Sequence, residues 1–245
     1  MDVLTISVIT VIFISTLVTS TLGFGLGLIS MPLLAFFIDI KTATPLIAIV
    51  GTVMAFFIFI RNWREVNFRS IWKLILACLA GLPIGLYFLK GADDAVMKTV
   101  LAILIILFAL YSLLSRVQVP MKAEWPSFGF GLLSGVFGAA YNIPAPTVMI
   151  YATLKKWPPT VFRATLFSFF FPSSIIIVTS HFITGLVTQP VLYYSALSLP
   201  FVVFSTIIGG ILNRRIPAER FNNIVYLGLL LIGCFLLFKV ITDVV

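Results

Sequence analysis

Two apolar segments interrupted by glycine and proline decide how this chain folds: GFGLGLISMP at residues 23–32 and GVFGAAYNIPAP at residues 135–146. Both are too apolar to be surface loops and too rich in helix-breaking residues to be continuous helices. Backbone groups without helical hydrogen bonds are tolerated at membrane depth only where protein or a polar cavity satisfies them. A matched pair of broken segments, one in each half of a membrane protein, indicates the binding site of a secondary transporter.

The composition indicates a membrane protein. Hydrophobic residues make up 61% of the 245 residues and charged residues only 10%, whereas about 25% of an ordinary soluble domain is charged. Charge-free runs lie at residues 3–38, 43–60, 74–89, 99–115, 125–154, 164–213 and 221–238. Because a bilayer core about 30 Å thick requires roughly 20 apolar helical residues, we expect an all-α polytopic membrane protein. The first run has neither a basic leader nor an Ala-x-Ala-like site after it, so we expect a membrane element and not a cleaved signal peptide.

The two halves of the chain carry corresponding features beyond the broken segments. The pair Ala-Thr at residues 43–44 recurs at residues 164–165, and GLPIG at residues 81–85 corresponds to TIIGG at residues 206–210. A nearly constant offset of this kind is typical of a duplicated unit with small loop insertions. The sequence therefore predicts one integral membrane domain that is built from two repeats.

The basic residues predict how the two repeats are oriented. If each broken segment is a hairpin that returns to the side it entered from, with the N-terminus outside, 12 of the 16 basic residues are cytoplasmic, as the positive-inside rule requires. These are Arg61, Arg64, Arg69, Lys73, Arg116, Lys122, Lys155, Lys156, Arg163, Arg214, Arg215 and Arg220. Treating each segment as a single crossing gives 9 against 7. Each repeat, residues 1–120 and 121–245, is then a broken, re-entrant-like helical hairpin plus three transmembrane helices, an odd number that inverts the second repeat relative to the first.

Several stretches resemble a known family of membrane proteins. They are residues 23–34, 41–46, 140–151, 157–158 and 162–166, and the resemblance covers nearly the whole chain. The chain resembles the TauE/SafE family, a group named for sulfite export. The resemblance implies a carrier for small sulfur-containing or organic anions, such as sulfite or sulfonates, usually in the direction of export. The chain departs from the family pattern at residues 144–146, where Pro-Ala-Pro replaces a Gly-Gly-Pro or Gly-Pro-Pro run.

The broken segments offer chemistry that suits an anion. A half-helix that restarts after a break has unpaired N–H groups and a positive dipole end at its N-terminus, so it binds oxyanions without a buried cation. Gly25 and Gly27 allow close approach of the backbone, and Asn142 supplies a side-chain donor. The candidate substrate-binding residues are Gly23, Phe24, Gly25, Gly27, Thr44, Tyr141, Asn142, Pro144, Pro146, Thr147, Arg163 and Thr165.

Simpler roles for several of these residues stay open. The glycines can serve only to let helices cross closely, and Thr44 and Thr165 can be helix caps. Arg163 is either an anion contact at the cytoplasmic mouth of its helix or a positive-inside anchor. His181 lies near the outer end of a span without a second histidine or a carboxylate, which favours a packed residue over a ligand.

These observations predict a secondary transporter that exports a small anion across the cytoplasmic membrane. An anion channel on the same scaffold is the first alternative. An intramembrane enzyme is disfavoured, because one histidine and no carboxylate within a span provide neither a nucleophile–base pair nor a metal cluster. We therefore expect no enzyme activity, no catalytic residues, no metal and no cofactor.

The expected partners are a small anionic substrate and the lipid bilayer of the cell inner membrane, which the chain crosses several times. The basic loops are explained by topology and anionic headgroups, so no nucleic acid is expected, and a homodimer stays open. All eight acidic residues fall in loops or at helix ends, so no carboxylate is placed to relay a proton. Membrane potential alone drives an anion outward, although coupling to Na⁺ through backbone carbonyls stays open.

Overall fold

The computed structural model describes residues 2–62, 68–114, 126–155, 159–212 and 218–244, without the side chains of 61–62, 68–71, 159–165, 167, 218–222 and 243–244. Over these ranges the chain forms α-helices joined by short turns. The helices are α1 (Val3–Leu22), α2 (Leu26–Leu34), α3 (Ile40–Asn62), α4 (Phe68–Gly91), α5 (Asp94–Leu114), α6 (Pro126–Tyr141), α7 (Ala145–Leu154), α8 (Pro159–Ile183), α9 (Gln189–Leu212) and α10 (Ala218–Val244).

Six helices of the described part are long and apolar enough to cross a membrane, namely α1, α3, α4, α5, α9 and α10. Their outward faces carry large apolar side chains such as Leu107, Leu231 and Phe235, which are more than half exposed. Such faces are compatible with lipid and not with water. The prediction of an all-α polytopic membrane protein is confirmed. The inverted relation of the two repeats stays a prediction.

The first helix break lies in the first glycine-rich segment. Gly23 has a φ of +89°, and its N–H donates to the carbonyl oxygen of Thr19 at 2.7 Å, which ends α1. Gly25 has a φ of +101° and precedes α2. Because L-residues with a Cβ rarely adopt such angles, glycine at both positions permits the reversal of the chain. The two arms of this hairpin are unequal: α1 has 20 residues, about 30 Å, whereas α2 has 9 residues, about 14 Å.

The second helix break uses asparagine in place of glycine. Asn142 has a φ of +53°, and its N–H donates to the carbonyl oxygen of Gly138 at 2.8 Å. The next N–H, of Ile143, donates to the carbonyl oxygen of Phe137 at 3.1 Å. This pair of bonds caps the end of α6, and asparagine is the residue after glycine that best tolerates the left-handed conformation there. Pro144 and Pro146 then suit the start of α7.

The two halves of the chain interlock, because the most extensive contacts join helices of different halves. Helix α4 packs on α6, α1 on α9, α5 on α10 and α3 on α8. The α4–α6 contact brings backbones together: a Cβ at Gly135 would overlap the carbonyl oxygen of Cys78, and one at Gly81 would overlap that of Leu132. Helix α3 contacts helices of both hairpins, α2 and α6, and α8 packs on α3.

Candidate functional site

The tips of the two broken hairpins meet beside a cavity of about 90 Å³. At the contact, a Cβ on Gly27 would overlap the carbonyl oxygen of Asn142 and lie 2.9 Å from Cγ1 of Ile143. One water requires about 10–15 Å³, so the cavity has room for several waters or one small oxyanion. The lining residues are Thr19, Gly23, Phe24, Gly25, Leu26, Gly27, Leu28, Gly51, Met54, Ala55, Ile58, Asn142, Ile143, Pro144, Ala145, Phe170, Ser173, Ser174 and Ile177.

Two helix N-termini converge on this cavity. The residue that precedes α2 and the first turn of that helix, residues 25–28, line the cavity, and so do Pro144 and Ala145 at the start of α7. The first N–H groups of a helix have no intrahelical acceptor and carry the positive end of the helix dipole. Pro144 and Pro146 have no N–H, so α7 offers fewer donors than α2, but both helices direct the positive end of their dipole at the cavity without a charged side chain. None of the described residues in its wall is charged.

Asn142 connects the hairpin tips to the central helix α3. Its side-chain nitrogen lies close to Gly51, since a Cβ added at Gly51 would be 3.4 Å from Asn142 Nδ2 and 3.2 Å from Cδ2 of Leu26. The residue is half-buried and lines the cavity. An amide at this point can donate to an oxyanion while its backbone caps α6.

The hydroxyl groups in the cavity wall differ in whether they have a protein acceptor. Ser173 and Ser174 on α8 donate to the carbonyl oxygens of Phe169 and Phe171 in their own helix, at 2.7 and 2.8 Å. Thr19 on α1 is 3% exposed, and its hydroxyl has no protein partner. A buried hydroxyl without a partner destabilises the folded protein by about 1–3 kcal/mol. Thr19 is therefore a polar residue of the wall whose hydroxyl no protein group uses.

Two of the residues predicted for the site brace the second hairpin and lie outside the cavity wall. The hydroxyl of Thr44 on α3 donates to the carbonyl oxygen of Ala140 at 3.0 Å. The hydroxyl of Tyr141 donates to the carbonyl oxygen of Met97 on α5, also at 3.0 Å. Both donors are fully buried and are used by protein carbonyls. They tie the end of α6 to two helices of the first half.

The other predicted residues divide between the cavity, the helix start and the undescribed side chains. Gly23, Phe24, Gly25, Gly27, Asn142 and Pro144 line the cavity together. Thr147 donates to the carbonyl oxygen of Pro144 at 3.0 Å, and Pro146 is buried in the first turn of α7. Arg163 and Thr165 lie on α8, outside the residues whose side chains the structure describes.

The site predicted from the sequence lacks the wall residues that α1, α3 and α8 contribute, such as Thr19, Met54 and Ser173. Thr19 could have been found, because it lies one helical turn before the break at Gly23 and is polar in an apolar run. Ser173 and Ser174 carry a similar signal, since they follow Pro172 after an aromatic run. Met54 and Ile58 carry no such signal, because apolar residues on a membrane helix look alike in sequence.

Comparison with known proteins gives a family and a relative that match most of the chain. The family model described as "Sulfite exporter TauE/SafE" matches residues 8–236. The chain is 26% identical over 261 residues to a protein of Bacillus subtilis (strain 168) described as "Probable membrane transporter protein YunE", and the match covers 91% of this chain and 93% of the relative. No solved structure gives a significant match to the chain.

Proposed function

Because the chain belongs to the sulfite exporter TauE/SafE family, we propose that it is a secondary transporter that exports a small anion, such as sulfite, a sulfonate or a related organic anion, across the cytoplasmic membrane. Multi-pass membrane transport follows from the family, the probable membrane transporter among its relatives and the six apolar helices. What we propose beyond this is the anionic substrate, the outward direction of transport, and the lipid bilayer of the inner membrane as the place where the protein acts.

The observation that carries the proposal is the convergence of two helix N-termini on one uncharged cavity. The first turn of α2 and the start of α7 both line it. Oxyanions bind at helix N-termini through backbone N–H groups and the helix dipole. A site without a fixed cation binds an anion weakly enough to release it, which a carrier requires.

The helix directions support a carrier built from opposed hairpins. Helices α1 and α9 run parallel, since Thr16 contacts Ser205 and Ser20 lies against Gly209. Helices α4 and α6 also run parallel, as the glycine contacts along them advance together. The carbonyl oxygen of Thr184 at the end of α8 accepts a hydrogen bond from Lys90 at the end of α4, so both helices end on the same side of the bundle. Helix α9 follows α8 and starts on that side, and so does α1, whereas α6 ends there with α4. The two hairpins would therefore enter from opposite ends of the bundle. Such an arrangement suits alternating access to a central site.

The side-chain amide of Asn142 is expected to contribute directly to anion binding. We expect Asn142→Gly, which permits the left-handed backbone but removes the amide, to lower sulfite counterflow in proteoliposomes about tenfold. Asn142→Asp retains the shape but puts a carboxylate at the cavity, so we expect almost no counterflow. Thermal unfolding of both variants should stay close to that of the wild type. Normal counterflow by the aspartate variant would exclude anion binding at this cavity.

The topology is testable independently of the substrate. Thr188, an exposed residue between α8 and α9, is predicted to lie outside, whereas positions 64 and 215 are predicted to be cytoplasmic. In the background in which both native cysteines are replaced by alanine, Thr188→Cys should react with an impermeant maleimide in intact cells. Arg64→Cys and Arg215→Cys should react only after permeabilisation. Labelling of position 64 in intact cells would exclude the inverted-repeat topology.

A further inference from the structure

The buried polar atoms without partners are concentrated in two helices. In the part of the chain that the structure describes, six buried side-chain nitrogen or oxygen atoms have no hydrogen-bond partner. Five of them are hydroxyls on α1 and α9, of Ser15, Thr19, Ser20, Ser195 and Ser198, and the sixth is Nδ1 of His181. These five residues are at most 8% exposed. Each buried hydroxyl without a partner costs the fold about 1–3 kcal/mol.

Hydroxyls elsewhere in the same bundle find partners within their own helices. Thr21 donates to the carbonyl oxygen of Leu17 at 2.8 Å, and Ser30 donates to that of Leu26 at 2.6 Å. This bond to the carbonyl four residues earlier is the usual solution for serine and threonine within a helix. The five hydroxyls on α1 and α9 do not use it, and no other protein group accepts from them.

The five hydroxyls lie in line with one hydrogen bond between α1 and α9. Ser205 donates to the hydroxyl of Thr16 at 2.8 Å. Ser198 precedes Ser205 by two helical turns on the same buried face of α9, and Ser195 lies one turn further towards the start of that helix. We call the seven residues Ser15, Thr16, Thr19, Ser20, Ser195, Ser198 and Ser205 the hydroxyl seam.

The hydroxyl seam reaches the cavity at its inner end. Thr19 lines the cavity, and Ser15 lies one turn earlier on the same face of α1. Ser195 lies two turns from the start of α9. Since α1 and α9 run parallel, the polar groups lead from the cavity towards the end of the bundle where both helices begin.

The second large contact between the two halves, α4 on α6, is built differently. Helix α4 meets α6 through glycines that bring the backbones together, and Cys78 is buried against Gly135 there. None of the unpartnered hydroxyls lies on those two helices. The α1–α9 contact is also close at Gly209, where a Cβ would lie 2.5 Å from Cβ of Ser20, and it differs from the α4–α6 contact in its unpartnered hydroxyls.

We propose that the hydroxyl seam is a hydrated route through which the anion leaves the cavity towards the end where α1 and α9 begin. Each hydroxyl offers one donor and two lone pairs, so it replaces part of the water shell of an oxyanion without holding it by charge. The route concerns access to the cavity; that an anion passes along it, and in the outward direction, rests on the proposed function.

Cysteine accessibility tests the route without a known substrate. In a Cys234→Ala background, Ser15→Cys, Ser195→Cys and Ser198→Cys are made singly, and Cys78 is retained as an internal control. Intact cells are treated with 2-sulfonatoethyl methanethiosulfonate, an impermeant small sulfonate, and modification is followed by intact mass. We expect one modification in each variant, fastest at position 195 and slowest at position 15, and none at Cys78. Variants that transport normally but remain unmodified at all three positions would overturn the route.

Alanine variants provide a second test that does not depend on labelling. If the seam is dry, Ser198→Ala removes an unsatisfied hydroxyl, so the protein becomes more stable and transport is unchanged. If the seam is hydrated, thermal stability stays the same and counterflow falls about three- to tenfold. Modification of the cysteine variants without any sulfite transport would uphold the route and exclude sulfite as the substrate. Sulfite transport combined with the dry result for Ser198→Ala would overturn the route and leave the proposed function intact.

Discussion

Replacing Gly27 with valine is expected to abolish transport, with a loss of at least 100-fold in counterflow. A Cβ at this position would overlap the carbonyl oxygen of Asn142 and lie 2.9 Å from the carbonyl carbon of the same residue. These are backbone atoms of the opposing hairpin, so no side-chain rotation relieves the overlap, and the tips must separate. Separation displaces the N-terminus of α2, with its free N–H groups, from the cavity in which we propose the anion binds.

Gly129 provides the matched control for this prediction. It lies on α6, has an ordinary helical φ, and a Cβ there would meet no heavy atom within 4 Å. Gly129→Val should therefore express, unfold and transport like the wild type. The measurements are counterflow in proteoliposomes and thermal unfolding in detergent. Wild-type transport by Gly27→Val would contradict the contact between the hairpin tips.

Outward flux is expected to follow the membrane potential much more strongly than a pH gradient. The cavity wall contains no charged residue in the described part of the chain, and all eight acidic residues lie in loops or at helix ends by sequence. A monovalent anion gains about 2.3 kcal/mol from 100 mV, which corresponds to a concentration ratio of roughly 50. A divalent anion that crosses with its full charge gains about twice that free energy.

Proteoliposomes separate the two driving forces. The potential is clamped with K⁺ and valinomycin while the pH on each side is set independently, and the uptake of sulfite is compared with that of a sulfonate that does not titrate near neutrality. The sulfonate is the control for sulfite protonation, which would imitate proton coupling. We expect accumulation to scale with the clamped potential at any pH gradient. Uphill movement of the sulfonate driven by the pH gradient alone would contradict transport that follows the membrane potential, and it would indicate proton coupling.

The helix breaks could be predicted from the sequence because their causes are local. Gly23 and Gly25 adopt positive φ angles that a side chain would disfavour, and Pro144 suits a helix start. The membrane class follows with similar directness from composition and the length of the apolar runs. These features depend on neighbouring residues and on the bilayer, and both are visible in the sequence.

The cavity wall could be predicted only in part because it depends on tertiary packing. Thr44 and Tyr141 are polar groups in apolar segments, and the sequence cannot tell whether such a donor meets a ligand or a carbonyl. Here each donates to a carbonyl oxygen, of Ala140 and of Met97. Conversely, Thr19 is visible in the sequence as a polar residue one turn before a helix break, but only the packed bundle shows that its hydroxyl has no protein partner.

The pairing of helices across the two halves has a consequence for biogenesis. When the ribosome has released α1 to α5, the glycine face of α4 and the hydroxyl face of α1 have no partner yet, since these are α6 and α9. Because the ribosome releases roughly 5–20 residues per second, the first half remains without these partner helices for several seconds. During that interval polar and small residues face lipid or a chaperone, and α5 is unpaired until α10 arrives. Nascent chains stalled before α6 should therefore be the ones most readily cleared by membrane proteases.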